Sequence, residues 1–355
     1  MALIQGPSTS YQDLIMNGKK LSVLLFAFCF LFGSASLAMA AKGTVSYDFE
    51  IKDFVKGKPA ALWIPYPMSD GNQDITQVAV SGNFDRQAVY RDAKTGAIYL
   101  HADWQKPEQT PVLSMSFHVD SHYSKGAALK DGGNAFPPEV LPYLASSKFI
   151  PSDDARIQAF AKEATAGKKT VLEKARGVYD WTIKNTFRDP DVKGCGLGQA
   201  LTTMTQAKGG GKCADISSVF VAVARAAGVP ARDVFGLRGS GKSGEMTGDF
   251  HCWTEFYLPG TGWVMADPAD VRKAMLVEKL ELGDKATAER TEFFWNGDDL
   301  FRIALSRADR GVVFSPAQKD GPVEYFMYPY AEVDGKALDY RAPKSFVYTV
   351  NYKAE

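Results

Sequence analysis

Apolar and polar residues alternate with period two over residues 45–51, with Val45, Tyr47, Phe49 and Ile51 on one side and Ser46, Asp48 and Glu50 on the other. That pattern marks a half-buried strand. Similar short runs at 61–64, 97–101 and 113–119 predict further strands, and Pro65-Tyr66-Pro67 stops the second of these. Turn-forming clusters at 69–72 and 92–96 separate them. Short strands at this spacing predict a β-sandwich over residues 41–122.

The pattern changes near residue 123. Ser124-Lys125-Gly126, Gly132-Gly133 and Pro137-Pro138 mark 123–150 as a linker. Beyond it the apolar period lengthens. Ser152, Asp153 and Asp154 suit a helix N-terminus, where acids complement the dipole. Val171, Leu172, Ala175, Val178, Tyr179, Thr182 and Ile183 then recur at helical spacing as far as Arg188-Asp189-Pro190. Glycines crowd residues 194–198 and 209–211. A second amphipathic helix is predicted from about Cys213 to Ala227, with Ile216, Val219, Phe220 and Val223 on one face and Gly228-Val229-Pro230 as its stop. From Ala231 to the C-terminus the pattern reads as strands, with turns at Pro259-Gly260, Asp334-Gly335 and Pro343. The class expected is α+β, with a mixed domain over 151–355 that carries a β-rich C-terminal extension.

The first forty residues read differently. Lys19 and Lys20 precede an apolar run over 21–32, and small residues end in Ala38-Met39-Ala40. This is the layout of a secretion signal, with cleavage expected before Ala41 and Met16 expected as the true start. The run is shorter than the roughly 20 residues of a membrane span. The mature protein is therefore expected to be exported, periplasmic or secreted, without stable membrane insertion. Its oligomeric state is left open.

Composition refines this picture. With 45% apolar and 23% charged residues, the chain is of ordinary globular type. Without Lys19, Lys20 and Asp13, 39 basic and 40 acidic residues remain, so no basic field points to nucleic acid. Cleavage also removes Cys29 and leaves Cys195, Cys213 and Cys252. An odd number of cysteines in an oxidising compartment leaves at least one thiol unpaired within the chain, which suggests a chemical role.

Cys213 follows three glycines and Lys212 at a predicted helix start. Unpaired N–H groups and the helix dipole favour a thiolate there, and the same N–H groups can hold an oxyanion. His251 lies in a strand with Trp253, Glu255 and Tyr257 on its face, while Phe250, Cys252, Thr254, Phe256 and Leu258 occupy the other. Histidine suits proton exchange with a thiol near neutral pH. Pro259-Gly260-Thr261-Gly262 predicts a hairpin that carries Asp267 back beside His251, where a carboxylate can orient the ring. Taken singly, each residue has a plainer account: a buried thiol, a hydrogen-bonded strand histidine, an Asp-Pro turn. Taken in order, they form a candidate Cys-His-Asp triad.

Gly211-Lys-Cys213-Ala-Asp215, Gly228-Val-Pro-Ala-Arg232, His251-Cys-Trp-Thr-Glu255 and Gly260-Thr-Gly-Trp-Val-Met-Ala-Asp-Pro268 resemble the core of the transglutaminase-like superfamily, over about residues 150–275. The resemblance implies a papain-like core in which a nucleophile helix packs on an antiparallel sheet. It also implies a thiol enzyme acting on amide or peptide bonds of a protein or peptide substrate through an acyl-enzyme. Hydrolysis is slightly favoured over amine transfer. The alternatives are a protein-glutamine transglutaminase and a non-catalytic binding protein on the same fold. No cofactor or metal is expected, because Cys252 and His251 fall on opposite strand faces. Cys252 departs from the family pattern and is expected to pack in the core. Cys195 is left with three roles: lining the cleft, pairing with Cys252, or bonding reversibly to Cys213. Trp253 and Trp263 are candidate cleft walls, and Asp215 and Asp249 are expected to cap or be solvated. Gln199 is a candidate oxyanion donor, and Lys212 a source of positive potential.

Overall fold

The computed structural model of the protein describes residues 40–122, 128–297, 301–339 and 347–355. The secretion signal read over 1–40 lies, but for Ala40, outside the described residues. The alternating run at 45–51 becomes strand β1 (Lys42–Glu50), which buries Val45, Tyr47 and Phe49. Then follow β2 (Ala60–Pro65), β3 (Gln73–Gly82), β4 (Arg86–Arg91), β5 (Ile98–Trp104) and β6 (Val112–Ser121). Of these, β3 and β4 are not among the expected strands. Both are edge strands with mostly exposed or half-buried residues, so their apolar period is weak.

The sandwich is completed from the far end of the chain. Strand β10 (Gly244–Glu245) and strand β16 (Val347–Ala354) join β1, β6 and β3 in the order β10-β16-β1-β6-β3, with Tyr47 opposite Val350. Strands β14 (Tyr330–Val333) and β15 (Lys336–Ala337) join the second sheet in the order β15-β14-β2-β5-β4, with Trp63 opposite Tyr330. This corrects the expectation that the C-terminal strands extend the 151–355 segment. β1 and β2 are interior strands and need a neighbour on each side. Local periodicity cannot say which distant strand supplies it.

Helix α1 (Ala155–Ala164) is capped by Asp154, whose side chain accepts from the Arg156 N–H. Helix α2 (Val171–Asn185) opens on a capping box between Thr170 and Glu173. The short α3 (Ala200–Thr205) follows a parallel pairing of β7 (Phe187–Arg188) with β8 (Gly210–Gly211) across the glycine-rich region. Helix α4 (Cys213–Ala226) is buried over 213–225, as its nearly all-round apolar sequence requires. It ends at Gly228, whose φ of +77° is the left-handed conformation a Cβ disfavours.

Beneath α4 lies a four-stranded antiparallel sheet: β12 (Gly262–Ala266), β11 (Phe250–Leu258), β9 (Ala231–Arg238) and β13 (Arg302–Ser306) in the order β12-β11-β9-β13. Two helices, α5 (Pro268–Glu278) and α6 (Lys285–Phe293), interrupt the run of strands expected from residue 231 onwards. The signal for α5 is Asp267-Pro268, which ends a strand but also supplies a cap and an N1 proline. One core runs from Val45 and Phe117 of the sandwich to Cys213 of α4 and to Phe235 and Cys252 of the sheet beneath it. The class is α+β, with a papain-like core in which a central helix packs on an antiparallel sheet.

Candidate active site

Cys213 is the first residue of α4, with Lys212 as its cap residue. Asp215, one turn in, accepts from the Lys212 N–H at 3.0 Å and from the Gly198 N–H at 2.8 Å. It thereby ties the glycine-rich loop to the helix start. A Cβ at Gly196 would collide with the Asp215 carboxylate, and one at Gly198 with Arg310, so this loop requires glycine. The Ala214 N–H donates to Cys195 O at 2.9 Å, whereas the Cys213 N–H has no acceptor among the described residues. It remains one of the unpaired donors of a helix N-terminus.

His251 stands on β11, opposite Gly236 of β9. Its ring lies 6.2 Å from Trp253 in near-parallel stacking, as period-two alternation predicts. β12 folds back through Pro259-Gly260-Thr261-Gly262, and Asp267 follows its last residue. Asp267 Oδ2 is 2.7 Å from His251 Nε2, which leaves Nδ1 for the thiol of Cys213. Asp267 Oδ1 accepts from the Asp270 N–H at 2.9 Å, so one carboxylate both caps α5 and holds the imidazole. The sequence brings Cys213, His251 and Asp267 together, all three buried.

Three further residues enter here that sequence reasoning missed. Arg302 Nη1 donates to Asp267 Oδ2 at 2.7 Å and Nη2 to Asp270 Oδ2 at 3.2 Å. Arg238 donates to Asp270 Oδ2 at 2.5 Å, and that oxygen is 3.5 Å from His251 Nε2. Asp270 had a readable signal, since Asp267-Pro268-Ala269-Asp270 places two acids in one first turn. Arg302 and Arg238 come from β13 and β9, and nothing local marks them. His251, Asp267 and Asp270 also present donor atoms within 4.8 Å of one another, the donor types of a cation site. Arg302 spans both carboxylates and Arg238 adds a second guanidinium, so those oxygens already face two positive charges.

The charges set the titration. Burial pulls the imidazolium down, but Asp270 and Asp267 outweigh it and push His251 up to about 9. Burial pushes Asp267 up, yet His251 and Arg302 hold it well below the usual carboxylate range. Hydrogen bonds from Cys195 and then Cys252 hold the Cys213 thiol well below its ordinary value against burial, and His251 acts in the same direction. Cys195 is correspondingly held up by its bond to Cys213 and by burial, and Cys252 by burial and then Cys213. The contacts that lower Cys213 raise Cys195 and Cys252, so of the three thiols Cys213 is the one whose charged form the site favours.

Comparison with known proteins gives the family. The sequence model of the transglutaminase-like superfamily core matches residues 158–268. An uncharacterized protein of Haemophilus influenzae is 32% identical over 330 residues, which span 86% of this chain and 89% of the relative. The chain belongs to the transglutaminase-like superfamily. A solved candidate cysteine protease from Cytophaga hutchinsonii shares the fold at 16% identity and a TM-score of 0.53, over 89% of this chain and 98% of that one. The periplasmic domain of TgpA from Pseudomonas aeruginosa is a more distant likeness, at 15% identity and a TM-score of 0.35 over 72% and 95% of the two chains.

The transglutaminase-like core also sorts the remaining candidates. All three cysteines of the described residues are free and buried. Cys195 lines the cleft over Cys213, with its sulfur 3.5 Å from Phe250 O. Cys252 occupies the core face with Phe235, as alternation requires, but it also reaches the Cys213 sulfur and so is more than packing. Asp215 is a buried cap, and Asp249 and Lys212 line the cleft. Trp253 and Trp263 do not line it. Trp253 lies under Arg302 at 5.1 Å and Trp263 under Arg232 at 3.8 Å. Gln199 turns away to bond Glu324 and Thr202. Among the described residues, no helix is long and apolar enough to cross a membrane.

Proposed function

We propose that this protein is an exported thiol enzyme that opens amide bonds of a protein or peptide through an acyl-enzyme on Cys213. The observation that carries the proposal is His251 with Nε2 fixed by Asp267 at 2.7 Å, which leaves Nδ1 for a thiol at a helix start. The thiolate adds to the amide carbonyl, and the oxyanion is held by the Cys213 N–H. Collapse breaks the C–N bond as the His251 imidazolium gives its proton to the leaving amine, and a thioester remains. Water then loses a proton to His251 and adds to the thioester. Expulsion of the thiolate releases the acid and regenerates the thiolate–imidazolium pair. Asp267 orients the ring throughout and stabilises its charged form, and Asp270 adds to that field. Water is favoured as acceptor because the cleft of about 500 Å³ is lined by charged side chains that hold solvent.

The test is a peptide panel incubated with the mature protein and a labelled primary amine. New amino termini that vanish in Cys213→Ala support hydrolysis. Amine incorporation without new termini replaces water with an amine as acceptor. If neither occurs, and Cys213 is alkylated by iodoacetamide near pH 6 no faster than a free thiol, the reading fails. Export is tested by the mass of the protein recovered outside the cytoplasm, which should begin at Ala41.

A further inference from the structure

The wall of the cleft over Cys213 carries Arg188, Lys212, Arg238 and Lys273 against one carboxylate, Asp249. The chain as a whole is balanced, with 41 basic and 41 acidic residues. Arg238 is held by Asp270 at 2.5 Å. Arg188, Lys212 and Lys273 make no ion pair among the described residues. These cations reach the cleft from three elements: Arg188 from β7, Lys212 from the cap of α4, and Lys273 from α5. Like charges gathered in a concave, partly dry space repel one another, and the field they focus draws anions in. Burial and then Arg238 hold the Lys273 ammonium below the ordinary lysine value, against the opposing pull of Asp270, and Arg188 adds to the lowering. Asp249 offsets only part of this, and burial pushes its carboxyl up despite Arg238 and Lys273.

We infer that this cleft is a carboxylate subsite and that the preferred substrate is an acidic peptide, with a carboxylate beside the amide that Cys213 attacks. The inference rests on the proposed function for the position of that amide, but the subsite itself is defined by the cations. Arg188 supplies a planar fork suited to a carboxylate, and Lys212 and Lys273 add mobile point charges. Lys212 adjoins Cys213 in sequence, so the bound carboxylate would lie within about one or two residues of the scissile bond, at about 3.3–3.6 Å per extended residue. The carboxylate has two possible sources: an acidic side chain or the end of a chain.

Binding is measured on Cys213→Ala protein with four fluorescent peptides. They carry Glu or its isostere Gln beside the central amide, each with a free or amidated C-terminus. A carboxylate is expected to tighten binding about tenfold over the neutral isostere at low salt, less at high salt. Substitution of Lys212→Met together with Lys273→Met is expected to abolish the advantage. An advantage that follows Glu assigns the subsite to an acidic side chain, and one that follows the free C-terminus assigns it to a chain end. Equal binding of all four peptides overturns the inference, even if amide cleavage is observed. A second readout uses the parent protein and needs no peptide. Cys213 should react with anionic iodoacetate relative to neutral iodoacetamide faster than a free thiol does, and the lysine double variant should lose that preference. A ratio equal to that of a free thiol overturns the subsite. Loss of reaction with both reagents counts against the activated thiolate instead, and the binding comparison still decides the subsite.

Discussion

Two buried Asp–Arg pairs sit on opposite faces of the sheet under α4, and only one of them adjoins the cleft. On the helix face, Arg310 holds both oxygens of Asp233 at 2.9 Å and gives further N–H groups to Gly198 O at 2.7 Å and Ala214 O at 3.4 Å. That network is closed: it clamps the glycine loop and the start of α4 to the sheet. On the other face, Arg302 is divided between Asp267 and Asp270. Asp267 also bonds His251 at 2.7 Å and favours its charged form, and Asp270 Oδ1 is buried without a hydrogen-bond partner among the described residues. A buried unsatisfied oxygen calls for an explanation, and the other oxygen of the same carboxylate is 3.5 Å from His251 Nε2. A closed ion pair fixes structure, whereas an open one transmits charge.

Removing one member of each pair should have unlike consequences. Asp267→Asn should cut kcat/KM for peptide cleavage by about 10²–10⁴-fold, since the proton-transfer residue loses its orienting charge. The same variant should slow Cys213 alkylation near pH 6 towards that of a free thiol. An alkylation rate that does not change would detach Asp267 from the thiolate. Arg310→Met should instead cost about 3–5 kcal/mol of stability, because it leaves the Asp233 charge buried and uncompensated. Denaturant unfolding measures that loss. The protein that remains folded should keep the parent pH profile of Cys213 alkylation. A profile that moves with Arg310→Met would mean that the two pairs do not differ in kind.

The unequal legibility of the two pairs in the sequence has a physical cause. Cys213, His251 and Asp267 were readable because each sits at a local landmark: a helix start, an alternating strand, the far side of a hairpin. Period-two alternation also separated His251 from Cys252 correctly, but it could not show that both reach one sulfur at the helix start. Arg302 and Arg310 lie far along the chain from the carboxylates they hold, and an arginine in a strand or loop looks solvated until the sheet is assembled. The same limit hid the pairing of β14 and β16 with the N-terminal strands. Helix α5 was hidden for a different reason, because Asp-Pro is a legitimate end for one element and a legitimate start for the next.

A smaller effect is expected at the two other cysteines. If Cys195 and Cys252 each donate S–H to the Cys213 thiolate, removing a donor raises the thiol's protonation pH. Cys252→Ala should slow alkylation near pH 6 by about tenfold, the scale of one hydrogen bond to a charged group. Cys195→Ser retains a hydroxyl donor and should lose less. Equal rates for Cys252→Ala and the parent would return Cys252 to a packing role and leave His251 as the main support of the thiolate.

The smallest effect is in stability against pH, and its sign follows from the two titrating partners. His251 is pushed up to about 9 in the fold, against an ordinary value of 6.5. Its contribution is therefore complete below about 6.5 and fades as pH rises towards about 9, because the unfolded chain gives up the proton first. Cys213 works in the opposite sense: its lowered value adds stability that is complete above about 8.5 and is lost as pH falls through the folded value. In the parent the two trends oppose each other between about 6.5 and 8.5 and the curve is shallow. Cys213→Ala removes the thiolate, while Asp267 and Asp270 still favour the imidazolium, so stability in that variant should decline as pH rises above about 6.5. Adding Asp267→Asn should flatten that decline, and adding Arg310→Met should lower the whole curve without changing its slope. If Arg310→Met flattens the slope as well, charge is shared across the sheet and the closed pair is not closed.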